Sequence, residues 1–578
     1  MRSAESWLLI APSTNPEFPD GTKKEAKMSR PFPVARPPLA PGVHLEANVH
    51  VPMRDGIRLA VDIYRPEAEG KYPAILSMSP YIKEMQQLPP GLSHSIEAGA
   101  TPFYVSQGYA HIIASIRGTG FSQGQYNYYD MKEQQDGYDL VEWIAGQPWC
   151  NGNVGMIGDS YFGKIQYLVA AQQPPNLKCI VPYDAGTDQY RDVAYKGGVM
   201  WSQFVSMWGV DTITQCLWPG PVEGKLPPAN FILDLASHTD DGPYYWERSA
   251  WTKSDKITVP LMSIVPLSAV HTLGQLRIFP EIRSPKKLLV VPPPDPFAEH
   301  VLFIESNPLN EQILRWLDYW LKEIDTGIMK EPMVTLFDAG TGTWHYGNEY
   351  PFAETKWTKF FFRSNNAPAS TASHDGSLSL EPPLEDESPD KYVTLSPDPS
   401  DSTSLLTYST TPMGYDLRVW GPLSLHLNGA STAADTIWFI KLADVAPDGN
   451  IKIITEGHLR ASHREIDESK SLPGQPFHPF RNPNPQEPNA IYDFQIEMRP
   501  IFHTFKKGHR IWLSIGSNDL EYQGKIRSTY IFQGQPVPGE NVVYHDTAHQ
   551  THLLLPVIPE LPIKDPVGPP VSEIKWPL

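Results

Sequence analysis

At 578 residues the chain is too long for one hydrophobic core, so two or three domains are expected. Its 65 acidic against 47 basic residues give a formal charge of −18, which argues against a nucleic-acid backbone or an anionic lipid surface as the main partner. Sixty prolines and sixteen tryptophans exclude an all-helical bundle and favour many short connections between strands. No apolar run reaches the roughly 18 residues needed to cross a bilayer. The amino terminus has neither the charged start nor the unbroken apolar core of a secretory signal, so a soluble, cytoplasmic protein is expected. Cys150, Cys179 and Cys216 are too sparse for a disulfide framework and lack C-x-x-C spacing, and are read as reduced structural thiols.

The first forty or so residues, rich in proline from Pro12 to Pro41, read as a tail or strap. Order is expected from about His44. Val49 to Val51 and Ile57 to Tyr64 alternate around Arg54-Asp55-Gly56, which predicts a hairpin. Pro73 to Met78, Tyr109 to Ile116 and Val154 to Ile157 read as buried strands, and Gln134 to Ala145 has helical spacing. Strands alternating with helices predict an α/β core with a doubly wound, mostly parallel sheet. From Tyr195 to Ser254 the alternation gives way to aromatic, helix-like segments, which suggests a lid over the site. The sheet pattern resumes at Ile257 to Val265 and Lys287 to Val291, and a helix runs through Ile313, Leu317, Trp320 and Leu321. Beyond Met333 come short strands such as Leu423 to Leu427, Thr436 to Leu442, Tyr492 to Met498 and Arg510 to Ile515. They predict an all-β sandwich, with a hairpin turn at Asp448-Gly449. The expected divisions are a tail over 1–43, a core over 44–194 and 255–330, a lid over 195–254, a β sandwich over 331–565 and a tail over 566–578.

The segment Gly158-Asp159-Ser160-Tyr161-Phe162-Gly163 lies between a strand-like run and a helix expected to begin, amphipathically, at Ile165. A serine in a sharp strand-to-helix turn exposes its Oγ, and the amide of the next residue with the helix N-terminus favours a developing oxyanion. Gly158 and Gly163 allow the two backbones to approach closely. Serine between glycines is also common in ordinary turns, so it is the flanking strand and helix that point to a nucleophile.

Arg117 is read as tying loops together, and Asp188 with Arg191 and Asp192 as a buried ion network beneath the lid. Trp201, Phe204, Trp208 and Trp218, with Met200 beside them, could line an apolar pocket or form the lid's own core. His458, His463, His503 and His509 have no metal-ligand spacing, and no Walker-type or dinucleotide-type glycine pattern is present. Neither a metal nor a cofactor is expected.

Five segments then carry a resemblance: V-P-M-R-D-G-I-R-L-A-V-D-I-Y-R-P at 51–66, S-P-Y-I-K-E at 79–84, R-G-T-G-F-S-Q-G at 117–124, G-D-S-Y-F-G at 158–163 and Y-R-D-V-A-Y-K-G-G at 190–198. With G-H-L-R-A-S-H-R at 457–464 and F-K-K-G-H-R-I-W-L-S-I at 505–515, the chain resembles the cocaine esterase and X-Pro dipeptidyl-peptidase family of serine hydrolases from about 44 to 560. The variants R-A-S-H-R and L-L-L-P-V-I-P (553–559) resemble a fungal branch acting on small metabolites. The resemblance implies an α/β-hydrolase core with an inserted helical lid and a carboxyl-terminal jelly roll. It assigns Ser160 as nucleophile, and Tyr81 and the Tyr161 amide as oxyanion donors. Asp159, Trp201, Phe204, Trp208 and His271 are expected around the substrate.

The family places an acid after the strand beginning Val259-Pro260, in a G-W-x-D segment, where this chain has Ser268 and Ala269. It places the base after the following strand, in G-P-W-x-H, where this chain runs Pro292-Pro293-Pro294-Asp295-Pro296. His300 is then the expected base, oriented by Asp295 or Glu299, with His271 as the alternative. A serine without a base is a poor nucleophile. The expected function is therefore hydrolysis, or acyl transfer, of an ester, lactone or amide of a hydrophobic small molecule. The rivals are a cyclase, lyase or isomerase on the same fold and a non-catalytic binding protein. A monomer and a homodimer are both compatible with the sequence.

Overall fold

The computed structural model describes residues 36–88, 96–267, 269, 271–292, 308–364, 375–384, 387–394, 405–517 and 537–559. The tails at 1–35 and 560–578 lie outside these residues. So do His300, Asp295, Glu299 and Ser268.

The core is built on strands β1 (Val43–Pro52), β2 (Arg58–Pro66), β3 (Tyr72–Ser79), β4 (Ala110–Ser115), β5 (Cys150–Asp159) and β6 (Leu177–Tyr183). A two-residue pair, β7 (Tyr195–Lys196) and β8 (Val199–Met200), stands apart. The sheet continues with β9 (Leu261–Pro266), β10 (Lys286–Val291), β11 (Val334–Asp338) and β12 (Thr343–Gly347). Its order is β1-β2-β4-β3-β5-β6-β9-β10-β11-β12. From β4 to β11 every neighbouring pair is parallel, and the hairpin β1–β2 closes one edge antiparallel. The apolar runs of β3, β4 and β10 are buried almost throughout because helices cover both faces.

The helices are α1 (Thr101–Ser106), α2 (Met131–Ala145), α3 (Ser160–Ala171), α4 (Ser202–Leu217), α5 (Phe231–Ser237), α6 (Pro243–Arg248), α7 (Thr272–Ile278) and α8 (Leu309–Leu321). An Asp130 side chain accepting the Glu133 amide at 3.0 Å caps α2. The helix following the elbow differs from expectation. It begins at Ser160 rather than Ile165, and it is not amphipathic, since Tyr161 through Ala171 are all buried. A helix packed against the sheet on one side and covered on the other needs no polar face.

The carboxyl-terminal domain comprises β13 (Lys356–Arg363), β14 (Asp375–Ser379), β15 (Asp390–Thr394), β16 (Leu405–Ser409), β17 (Leu417–Ser431), β18 (Ile437–Val445), β19 (Ile451–Arg460), β20 (Tyr492–Phe505), β21 (Arg510–Gly516), β22 (Gly539–Tyr544) and β23 (His552–Val557). They form one barrel-like sheet in which β17 also pairs with β23. Asp448-Gly449 does turn the chain between β18 and β19, with Gly449 at φ +83°. A second difference from expectation lies at the domain boundary. Strands β11 and β12, within 331–565, extend the core sheet instead. They are tied to the β domain through Asp338, which accepts from the Thr504 amide at 3.0 Å and the Trp420 indole at 2.9 Å.

Candidate active site

In a parallel sheet the side chains that act on a ligand gather at the carboxyl ends of the strands, beside the place where the chain reverses its direction of winding. Here β4 lies on one side of β3 and β5 on the other, so that place falls between β3 and β5. Tyr81 follows the end of β3 and Ser160 the end of β5. Asp159 pairs with Tyr183 across β5 and β6, which sets Ser160 beside Asp184.

Ser160 has φ +52°, in the left-handed region that a non-glycine residue adopts only when its surroundings enforce it. The enforcement is visible at both glycines. A Cβ on Gly158 would lie 2.3 Å from Phe162 Cβ, and one on Gly163 would lie 2.7 Å from the Tyr183 carbonyl oxygen and 2.9 Å from Ala185 Cβ. Strand and helix are thus pressed together around the serine, as a nucleophile elbow requires.

The tyrosine after the serine points its ring away from the site. Tyr161 stacks on Tyr129 at 3.9 Å between centroids and donates its hydroxyl to Glu133 at 2.9 and 3.0 Å. Glu133 also accepts the Tyr129 amide at 2.9 Å, and burial pushes its carboxyl up to about 8. The tyrosine cluster of 126–129 and its buried glutamate went unread in the sequence. The signal that could have disclosed it is the density of aromatic residues before a helix-capping aspartate.

Tyr81 is buried, with its ring edge-on to Tyr161 at 6.0 Å and to Phe162 at 6.1 Å, over the first turn of α3. The Trp208 indole donates to the Tyr81 hydroxyl at 2.8 Å. That bond fills an acceptor site on the phenol and leaves its proton to be given. Burial, then the charge of Glu97, holds Tyr81 well above the ordinary range, so it stays a neutral donor.

Trp201, Phe204 and Trp208 come together on α4 and its N-cap. Trp201 stacks on Phe204 at 4.5 Å, and Phe204 lies parallel to Trp208 at 6.1 Å. Phe204 in turn meets the edge of His271 at 6.1 Å. Trp218 stands apart, packed on Phe121. His271 is fully buried and neither ring nitrogen has a hydrogen-bond partner among the described residues. Burial, then Lys164 and Lys196, pushes it well below the ordinary histidine range. Its backbone amide donates to Asp184 at 3.1 Å. Asp159 is buried at the end of β5.

Lys164 also went unread. It lies one turn beyond Ser160 on α3, is 5% exposed, and burial lowers it to about 8 against the opposing pull of Asp184, Asp192, Glu97 and Asp159. The S-x-x-x-K spacing was the available signal.

Arg117 is structural. Its guanidinium donates to Asp136 at 2.6 and 2.7 Å and to Asp55 at 3.1 Å. Arg191 joins the lid to both domains, reaching Asp188 at 2.9 Å, Asp241 at 2.7 Å and the His478 carbonyl at 2.7 Å. Asp192 does not bond to Arg191 as the ion-network reading expects. It accepts the amides of Thr187 and Asp188 instead. The three cysteines are buried and free. His503 and His509 share Asp444 at 2.9 and 2.8 Å, and no group of side chains among the described residues could hold a metal. No helix among them is long and apolar enough to cross a membrane.

The sheet order, the elbow and the helical insertion define an α/β-hydrolase carrying a β domain. A profile described as X-Pro dipeptidyl-peptidase (S15 family) matches residues 55–294, and one described as X-Pro dipeptidyl-peptidase C-terminal non-catalytic domain matches 326–554. The chain belongs to the cocaine esterase and X-Pro dipeptidyl-peptidase family of hydrolases. It is 26% identical to the cocaine esterase of Rhodococcus sp. (strain MB1 Bresler), covering 89% of this chain and 98% of that one. It is 22% identical to the Xaa-Pro dipeptidyl-peptidase of Lactiplantibacillus plantarum over 72% of this chain and 59% of that one. The crystal structure of a CocE/NonD family hydrolase from Staphylococcus aureus superposes with a TM-score of 0.78 at 23% identity, over 89% of this chain and 94% of that one.

Proposed function

We propose that this protein is a serine hydrolase that opens an ester or amide of a hydrophobic small molecule through an acyl-enzyme on Ser160. The observation that carries this reading is the left-handed Ser160 at the close approach of β5 and α3, with Tyr81 over the same turn. Ser160 Oγ attacks the carbonyl carbon, and the Tyr81 hydroxyl and Tyr161 amide hold the oxygen on which charge develops. Neither donor brings net charge, and the burial of Tyr81 strengthens its bond to an oxyanion. Trp201, Phe204 and Trp208 supply an apolar wall suited to a hydrophobic acyl or leaving group. The cocaine esterase relative supports the ester half of this reading and the dipeptidyl-peptidase relative the amide half.

A second reading, a cyclisation, elimination or isomerisation on the same fold, is favoured by one observation. The sequence Leu267-Ser268-Ala269-Val270 after β9 carries no carboxylate. A fluorophosphonate probe separates the two. Covalent labelling of the wild type, and none of Ser160→Ala, is expected. An unlabelled wild type that still turns over a natural substrate would favour the second reading.

A further inference from the structure

We propose that Lys164 is the proton acceptor of Ser160, so that nucleophile and base sit one helical turn apart on α3. The inference rests on Ser160 being the nucleophile. Helical side chains lean toward the N-terminus, so the Lys164 stem is directed back over the turn that begins at Ser160. Every α3 residue after Ser160 is buried, so this stem lies inside the protein and not along a solvent-facing surface.

Three observations support the assignment. Lys164 is only 5% exposed, which is rare for a lysine side chain. Four carboxylates from separate parts of the chain, Asp159 ahead of the elbow, Asp184 after β6, Asp192 within Gln189–Ala194 and Glu97 before α1, act on its charge, and Lys164 acts in turn on His271 before α7. Asp184 is also the residue set beside Ser160 by the β5–β6 register, so Lys164 lies on that flank of the elbow. Burial favours the neutral amine that must accept a proton, while the four carboxylates favour the ammonium that results. His271, on the same flank, is held neutral by burial and by Lys164 and Lys196, and would take up a proton against both.

The proton balance closes. Neutral Nζ takes the Oγ proton as the Oγ–C bond forms and the carbonyl electron pair moves onto oxygen. When the tetrahedral centre collapses, the bond to the leaving group breaks and the Lys164 ammonium protonates that group. Water then gives its proton to Nζ and attacks the acyl carbon, and the ammonium returns a proton to Ser160 as the acid departs.

The test is the rate of fluorophosphonate labelling at Ser160, read by mass spectrometry over roughly pH 6 to 10, in the wild type, Lys164→Met and Lys164→His. The wild-type rate is expected to rise with a midpoint near 8. Lys164→Met, of similar volume, should lower it about 10²- to 10⁴-fold. Lys164→His should recover part of the rate and move the midpoint toward about 6.5. A Lys164→Met rate within about threefold of wild type, or a wild-type midpoint near 6.5, overturns the proposal. The wild-type midpoint decides even if neither variant folds. A wild type that is never labelled removes Ser160 as nucleophile and the proposal with it, and is distinguishable from a labelled wild type indifferent to Lys164.

Discussion

The two flanks of the first turn of α3 are built on opposite principles. On the α2 side lie Tyr126, Tyr128, Tyr129, Tyr161 and Glu133, packed ring on ring around one carboxyl that accepts from the Tyr129 amide and the Tyr161 hydroxyl. On the β6–β9 side lie Lys164, Asp184, Asp192 and His271, where Asp192 Oδ1 and both His271 nitrogens are buried without hydrogen-bond partners among the described residues. The first flank fixes the elbow, because stacked aromatic rings and a saturated carboxyl have few alternative arrangements. The second leaves three buried polar atoms with capacity to spare against the single Tyr126 hydroxyl of the first, which costs stability and is retained where chemistry uses it.

Tyr81 packs on Tyr161 and Phe162 at the start of α3, and of the three variants considered next its loss should have the largest effect on turnover. Tyr81→Phe keeps the ring packing and removes the oxyanion donor. We expect kcat to fall about 10²- to 10³-fold, roughly 3 to 4 kcal/mol in the barrier, with the melting temperature nearly unchanged. A variant with wild-type kcat would place the oxyanion elsewhere.

Glu133→Gln tests the saturated flank through its pH dependence. Because burial raises this carboxyl to about 8, the folded protein keeps a proton that the unfolded chain has released above about 4.5. Stability should therefore be highest at low pH as far as this group is concerned, fall as pH rises through the window from about 4.5 to 8, and level off above it. Glutamine cannot titrate, so the variant should lose that slope, worth roughly 2 kcal/mol between about pH 5 and pH 7. Denaturant melts at the two pH values measure it, and equal slopes in both proteins would show that Glu133 is already ionised.

The smallest effect is expected at the lid. Trp208→Phe preserves the aromatic wall and deletes the indole N–H that orients the Tyr81 hydroxyl at 2.8 Å. A loss of about 1 kcal/mol, or a few-fold in kcat with KM little changed, is expected from steady-state kinetics. A rise in KM alone would make Trp208 a wall of the pocket and nothing more.

Much of the fold was legible because buried strands and their turns leave a periodic record. The hairpin at Arg54-Asp55-Gly56, the strands on either side of Ser160 and the aromatic lid helices were all readable in this way. β11 and β12 were not. Short strands followed by turns look alike whether they close a parallel sheet or open a sandwich, and only the pairing of Leu288 with Val334 distinguishes the two. Lys164 escaped for a related reason. A lysine in a helix reads as a solvent-facing position, and nothing local records that the helix is covered on every side.

The sequence by itself determined the chemistry available at the elbow. Glycines at 158 and 163 flanking Ser160, and the S-P-Y segment ending in Tyr81, are local requirements of backbone geometry, and local requirements are written in adjacent residues. The tertiary structure decided what surrounds that serine. Asp184, Asp192, His271 and Lys164 lie on four separate segments, and they meet only because the parallel register of β5, β6 and β9 delivers their ends to one edge of the sheet. Burial there resets the protonation of Lys164 and His271, and burial is a property of the packed whole.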